Sequence, residues 1–430
     1  MSNIGIRHED KYKLERRSPL VPADVINLVQ QGIEISVEAS EKRIFTDEEF
    51  ENAGAKISEI LDHCNVILGV KEMPIDYFQA GKVYVFFSHV IKGQPYNMPM
   101  LKSLMKSGST LIDYEKIEDS NGRRLIFFGR YAGLAGMINT LWAVGKRYQI
   151  LGFENPFSQL KQAFQYSSLE EAKSEIGRVA EQIRKNGLPE EMEPLIIAVS
   201  GDGNVSQGAL EIAQLLNGVT ITPLQLRSRE YPSEGSVMIV NILPEHYLSH
   251  KEGDKFDLMD YITNPDQYES SIEELLPDIN VFVNGIYWDD RYPKLIKKEW
   301  LVEQEKSNNL HLKVIGDITC DVHGSVECTE KSTEIEDPVF IYDPSADGYK
   351  MGFNGKGIAV MAVDILPSEL PREASEHFST ALKPFMKSIA DADFSVSFDQ
   401  LDLPDEIKRA VIVYRGSLSN GYEYLADYLK

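Results

Sequence analysis

The sequence predicts an α/β protein with mostly parallel sheets, on two observations. The first third alternates strand-like and helix-like segments, and a second strand–turn–helix series opens at "PLIIAVSGDGNVSQGALEIAQLLNG", Pro194 to Gly218. Such alternation places helices on the faces of a sheet whose strands run the same way.

The predicted strands of the first series are "NIGI", "IEISVEA", "NVILGV", "VYVFFSH", "STLIDYE" and "RLIFFG". "PADVINLVQQG", "TDEEFENAG" and "NMPMLKSLMKSG" are predicted helices, each with turn chemistry at its ends. Tyr131 to about Leu151 predicts one long buried helix, rich in Gly and Ala so that neighbours can approach closely. Phe157 to Gly187 is polar and helical. In the second series "LIIAV", "VTITPLQL", "SVMIVNIL", "INVFVNGIYW", "LKVIGDIT" and "GIAVMAVDIL" are predicted strands. From Leu370 the pattern is helical again, through "LPREASEHFSTALKPFMKSIADAD" and "DEIKRAVIVYRG".

Composition narrows the function. The 430 residues suffice for two or three domains, and 43% hydrophobic content can fill sizeable cores. Asp and Glu number 67 against 44 Lys and Arg, a net charge of -23, which argues against nucleic acid or an anionic membrane as partner. Three cysteines, Cys64, Cys320 and Cys328, imply no disulfide framework and fit a reducing, cytoplasmic setting. The charged N-terminus lacks an apolar signal core. The stretch Tyr131 to Gly145 falls short of the roughly 20 apolar residues of a spanning helix.

Three motifs carry chemistry. "SGDGNVSQGAL" follows a strand and opens a helix, so Gly201 and Gly203 make a tight turn and let the backbone approach a pyrophosphate, with Asn204 and Val205 beginning the helix. The third glycine position of the G-x-G-x-x-G pattern holds Ser206, with Gly208 two further on. The next predicted strand should carry the residue that reads the adenosine ribose. It offers Gln225, Arg227 and Arg229 with no acidic residue before them, which favours the 2′-phosphate of NADP over NAD. Finally, Lys71, His89 and Glu115 stand at the ends of three predicted strands, where open α/β sheets bind ligands. A lysine, a histidine and a carboxylate at neighbouring strand ends make an acid–base set. A lone lysine there would more often pack its stem on apolar surface and reach water.

Cys320, His323 and Cys328 form an incomplete ligand set, so no metal is expected. Arg17, Arg124 and Arg130 lie beside strand or turn signals and could clamp carboxylates, or form surface ion pairs.

The stretches "LERRSPLVP", "ILGVKEMP", "FFSHVIKGQ", "LIDYEKIEDSNGRR", "FFGRYAGLAGMINTL", "GDGNVSQGA", "VNGIYW", "DITCDVHGSVE" and "LPREASE" together resemble the lysine–2-oxoglutarate reductase branch of the saccharopine dehydrogenase family, and more distantly the alanine dehydrogenases. The resemblance covers nearly the whole chain. It implies two Rossmann-like domains around a central cleft, with residues 1–134 and 366–430 forming a discontinuous catalytic domain and 135–365 the dinucleotide-binding domain. It places the catalytic lysine on Lys71, the histidine on His89, the modulating glutamate on Glu115 and the alanine dehydrogenase aspartate on Asp321. Arg17 and Arg124 fall on the carboxylate-binding arginines, and Gly201, Gly203 and Gly208 on the dinucleotide turn.

The implied activity is a free-standing reductase that condenses L-lysine with 2-oxoglutarate and reduces the imine to saccharopine with NADPH. The alternatives are an NAD-linked, lysine-forming saccharopine dehydrogenase, an alanine dehydrogenase-like enzyme, or a non-catalytic NADP-binding regulator. The resemblance allows a homo-oligomer without fixing its size.

Overall fold

The computed structural model describes residues 3–233 and 235–430. The chain divides into two units, one of residues up to Phe128 together with Pro371–Lys430, the other Gly129–Leu370. These bounds fall where two long helices begin, a few residues from positions 134 and 366.

In chain order the first unit contains β1 (Asn3–Ile6), α1 (Pro22–Gln30), β2 (Glu34–Glu38), α2 (Asp47–Asn52), β3 (Lys56–Ser58), β4 (Val66–Leu68), β5 (Val83–Phe86), α3 (Met98–Lys106) and β6 (Thr110–Asp113). The second unit follows with α4 (Gly129–Ile150), α5 (Leu169–Asn186), β7 (Leu195–Ser200), α6 (Asn204–Gln214), β8 (Val219–Thr220), α7 (Pro223–Ser228), β9 (Val237–Ile242), β10 (Leu248–His250), α8 (Leu258–Thr263), β11 (Tyr268–Ser270), β12 (Val281–Asn284), α9 (Lys298–Lys306), β13 (Val314–Asp317), β14 (Val339–Asp343), β15 (Gly348–Met351) and β16 (Ile358–Met361). The chain then returns to the first unit through α10 (Pro371–Asp391), α11 (Asp405–Arg409), β17 (Val411–Tyr414) and β18 (Ser417–Leu418).

Among the described residues the first unit holds an eight-stranded sheet in the order β18-β17-β6-β5-β4-β1-β2-β3. Its strands run parallel from β6 to β3, and β17 closes the other side antiparallel. The second unit holds a matching sheet, β15-β14-β16-β13-β12-β7-β9-β8, with only β14 and β15 contributing antiparallel pairs. The expected α/β class with mostly parallel sheets is therefore what the chain adopts. β4 and β5 are buried at every position, as strands covered on both faces must be.

α4 is the long helix expected from Tyr131 onward, and its small residues set its packing. A Cβ on Gly133 would lie 1.9 Å from the Val205 carbonyl oxygen, and one on Gly208 would lie 2.2 Å from that of Arg130. The backbones of α4 and α6 touch there, which no larger residue permits.

Several elements differ from expectation. "RLIFFG" forms no strand; Arg124 makes an isolated bridge to Glu118, and the chain enters α4 at Gly129. "VTITPLQL" is a strand for only two residues, because Pro223 starts α7 and Thr222 caps it by accepting from the Gln225 N–H at 3.2 Å. Gln225 is thus a helix residue closing a capping box rather than a strand end. "VIVY" inside the predicted C-terminal helix is β17, whose β-branched side chains pair with β6 some 300 positions away.

Candidate active site

The carboxyl edge of the first unit's sheet gathers titratable residues. β1, β4 and β5 are adjacent and parallel. Each carries a titratable residue three positions beyond its last strand residue: Glu9 after Ile6, Lys71 after Leu68 and His89 after Phe86. The ladder extends past the strands, with the Arg7 N–H donating to the Leu68 carbonyl and the Phe87 N–H to that of Val70. That register sets Glu9 opposite Lys71, with His89 further along beyond β5.

His89 has a positive φ of 49, and its ring stacks on Phe87 with 6.1 Å between centroids. Its Nδ1 lies 2.9 Å from Glu72 Oε1. Lys11 Nζ is 2.5 Å from the same oxygen. Burial alone would push the Glu72 carboxyl up, but His89 and Lys11 outweigh it and hold the group at about 2. Glu72 is therefore a fixed anion that orients the imidazole and leaves its Nε2 facing away.

Lys71 sits with its amine 6.0 Å from the centre of the Tyr12 ring. Its backbone N–H donates to Glu9 Oε2 at 2.9 Å, and the Val70 N–H donates to Glu9 Oε1 at 2.6 Å. Burial and then Glu15 raise the Glu9 carboxyl to about 7. Glu15 itself, although buried, is held below the usual carboxylate range by the charges of Arg17 and Lys71.

The strand expected to end on Glu115 ends instead on Asp113, which accepts from the Ser88 N–H at 3.1 Å and from the Glu115 N–H at 2.8 Å. Glu115 lies in the turn beyond and pairs with Arg124 at 2.7 Å. The carboxylate bonded to His89 is accordingly Glu72, and the one bonded to the Lys71 backbone is Glu9. Arg17 is buried against Glu15, with Nε at 2.7 Å and one terminal nitrogen at 2.5 Å, and its guanidinium lies 4.1 Å over the Phe128 ring. Arg130 belongs to the second unit, where it donates to Glu211 at 2.6 Å.

In the second unit β7 leads through Gly201, with φ of +88, into α6. Gly203 is the N-cap and provides no side-chain cap, so the first N–H groups of α6 at Asn204 and Val205 have no capping side chain. A Cβ on Gly203 would meet nothing within 4 Å. An open, uncapped helix start after a tight glycine turn suits a pyrophosphate. Ser206, at the third glycine position, donates to the Ser200 carbonyl at 2.7 Å and so locks the turn to the strand.

The strand beside β7 is β9, not β8, so the segment at the end of the neighbouring strand is "LPEH" after Ile242 rather than the stretch that holds Gln225. Arg227 nevertheless reaches that end, donating to the His246 carbonyl at 3.1 Å and pairing with Glu274 at 3.2 Å. Arg229 pairs with Asp278 at 3.3 Å. At the end of β13, buried Asp317 accepts from Asn284 and Thr329, and Asp321 is exposed four residues on. Among the described residues no three His, Cys, Asp or Glu side chains gather as a metal site, and no helix is long and apolar enough to cross a membrane.

The sequence reading missed Glu9, Lys11 and Glu15, which sit in the charged run "RHEDKYKLERR". The usable signal was positional: Glu9 stands as far beyond its strand as Lys71 and His89 do beyond theirs.

Two family models match the chain: the alanine dehydrogenase/PNT N-terminal domain over residues 5–135 and its C-terminal domain over residues 182–421. The alpha-aminoadipic semialdehyde synthase of Arabidopsis thaliana is 38% identical over 98% of this chain, which spans 41% of that protein's length. The saccharopine dehydrogenase [NAD(+), L-lysine-forming] of Emericella nidulans is 26% identical, covering 91% of this chain and 93% of its own. Among solved structures an L-alanine dehydrogenase aligns over 100% of both chains, with a TM-score of 0.63 and 18% identity, a likeness of fold.

Proposed function

We infer the reaction from one premise: this chain belongs to the alanine dehydrogenase/PNT family. It is an oxidoreductase that uses a nicotinamide dinucleotide. We propose that it condenses L-lysine with 2-oxoglutarate and reduces the resulting imine to saccharopine. The substrates are inferred from the similarity to alpha-aminoadipic semialdehyde synthase along 98% of this chain. The observation that carries the chemistry is the placement of Lys71 and His89 just beyond the adjacent parallel strands β4 and β5, with Glu72 bonded to the imidazole.

Forming the imine requires proton movement at each stage. The lysine ε-amine must lose a proton as it attacks the keto carbon, and the carbinolamine oxygen must gain one to leave as water. His89 receives the first proton at Nε2, since Nδ1 is engaged by Glu72. Lys71 delivers protons to the departing oxygen. When bound, the dinucleotide supplies the hydride, and the residues fitted to hold it are Gly201, Gly203, Asn204 and Val205. Arg17, through its remaining terminal nitrogen, and Arg124, on release from Glu115, bind substrate carboxylates. Asp321 is assigned to the catalytic set from family resemblance alone.

For the coenzyme we propose NADP(H), with Arg227 as the cation at the end of β9. NAD(H) is the second reading, because Glu245 lies in the same "LPEH" segment and could accept from a ribose 2′-hydroxyl. With all three cysteines as thiols, a cytoplasmic location is proposed.

The test is coenzyme oxidation with 2-oxoglutarate and a panel of amines, against pyruvate plus ammonia, using NADPH and NADH. Oxidation should require lysine and 2-oxoglutarate together. NADPH should be preferred about 10–150-fold, the worth of one charge-assisted hydrogen bond, and Arg227→Ala should remove that preference while sparing NADH. Oxidation with pyruvate and ammonia alone would overturn the substrate reading. Equal use of NADH would overturn the coenzyme reading.

A further inference from the structure

We propose that Glu9 is a positioning residue for Lys71: its buried carboxylate grips the backbone N–H groups of Val70 and Lys71 and fixes where the amine stands. This rests on the reading of Lys71 as a proton carrier.

The two bonds use both carboxylate oxygens, at 2.6 Å and 2.9 Å, and bridge adjacent strand ends. Glu9 is 4% exposed, so water does not compete for the grip. Main-chain N–H groups beyond a strand otherwise need partners from elsewhere, and a carboxylate satisfies two at once. Gly69 makes the approach feasible: a Cβ there would lie 2.8 Å from the Met73 methyl and 3.4 Å from Glu9 Oε1. Hence the backbone after β4 is pinned by a carboxylate from the segment that follows β1.

The grip is also sensitive to protons. Glu9 faces Glu15 and Arg7 along its own stretch, Lys71 beyond β4 and Tyr114 beyond β6. Burial and then Glu15 raise its carboxyl to about 7, against the pull of the two N–H groups and Arg7. Protonation converts charge-assisted bonds into weaker neutral ones. The placement of Lys71 therefore loosens as pH falls through neutrality.

Two readouts test this in the full-length protein. In protein labelled with 15N-lysine, the Lys71 amide resonance, identified by its loss in Lys71→Arg, should move with a midpoint near pH 7. In Glu9→Gln that movement should vanish. The same variant should lose about 10–100-fold in turnover with lysine and 2-oxoglutarate, flatten the acid limb of the pH–rate profile, and leave the Michaelis constant for coenzyme unchanged. Glu9→Asp keeps the charge on a shorter arm and should recover part of the loss.

A Lys71 amide that does not titrate, or a Glu9→Gln enzyme with wild-type turnover and pH profile, overturns the proposal. A titrating amide in a wild-type protein inactive on lysine and 2-oxoglutarate leaves Glu9 as the clamp and sinks the substrate reading instead. Should Glu9→Gln fail to fold, the amide titration in the wild type and the pH profile of Glu9→Asp decide.

Discussion

Lys71 and His89 gain their proposed role from neighbours that hold them. The imidazole is stacked on Phe87 and bonded to Glu72, and the lysine backbone is bonded to Glu9. Side chains fixed in this way meet a substrate without first being ordered, which is the larger part of proximity catalysis. Replacing Lys71 by Met or His89 by Gln should lower turnover about 10²–10⁴-fold. Coenzyme affinity, measured by calorimetry, should change little, because Gly201 and Gly203 lie in the other unit. If both variants keep near-normal turnover, the proton carriers are other residues. Lys71 and His89 were legible in sequence because each follows an apolar strand; Glu9 was masked by the charges surrounding it.

At the level of elements, α4 is held by a buried polar link as well as by small residues. Asn139 on α4 donates to Glu369 at 2.7 Å, and the Phe164 N–H donates to the other carboxylate oxygen at 3.2 Å. Burial raises the Glu369 carboxyl to about 8, despite those two donors. A carboxyl whose folded pKa lies above the ordinary 4.5 favours folding most when protonated. Its contribution is complete below about pH 4.5 and falls away as pH rises through about 8. Glu369→Gln cannot ionise, so its melting temperature should gain on the wild type between pH 6 and pH 9. A difference that stays constant over that range would show Glu369 to be ionised in the folded protein throughout.

The periodic elements of both sheets could be read from sequence wherever strands were short apolar runs bounded by turns, as at β4, β5, β9 and β12. Reading failed where a local signal competed with a distant partner. "VIVY" continues a helical pattern but is taken by β6, and "PLQL" looks extended but obeys the proline and the Thr222 cap. The order of β8 and β9 beside β7 was not legible, since strand adjacency is a property of the sheet rather than of the segment. That order puts the segment after β9, rather than Gln225, at the end of the strand beside β7.

Taken whole, the chain sets Lys71 and His89 in one unit and the Gly201 turn in the other, each just beyond the carboxyl end of a parallel strand. Against a net charge of -23, the proposed carboxylate-binding arginines, Arg17 and Arg124, are paired with Glu15 and Glu115. The proposed reaction is reductive condensation of two substrates rather than amination by ammonia. The most direct measurement incubates the protein with coenzyme, 2-oxoglutarate, ammonia and lysine carrying 15N at its ε-amine, and follows the product by mass spectrometry. Reductive condensation gives one product that contains both carbon skeletons and retains the label at the new carbon–nitrogen bond. An unlabelled amino acid built from ammonia, with the labelled lysine recovered intact, would contradict it.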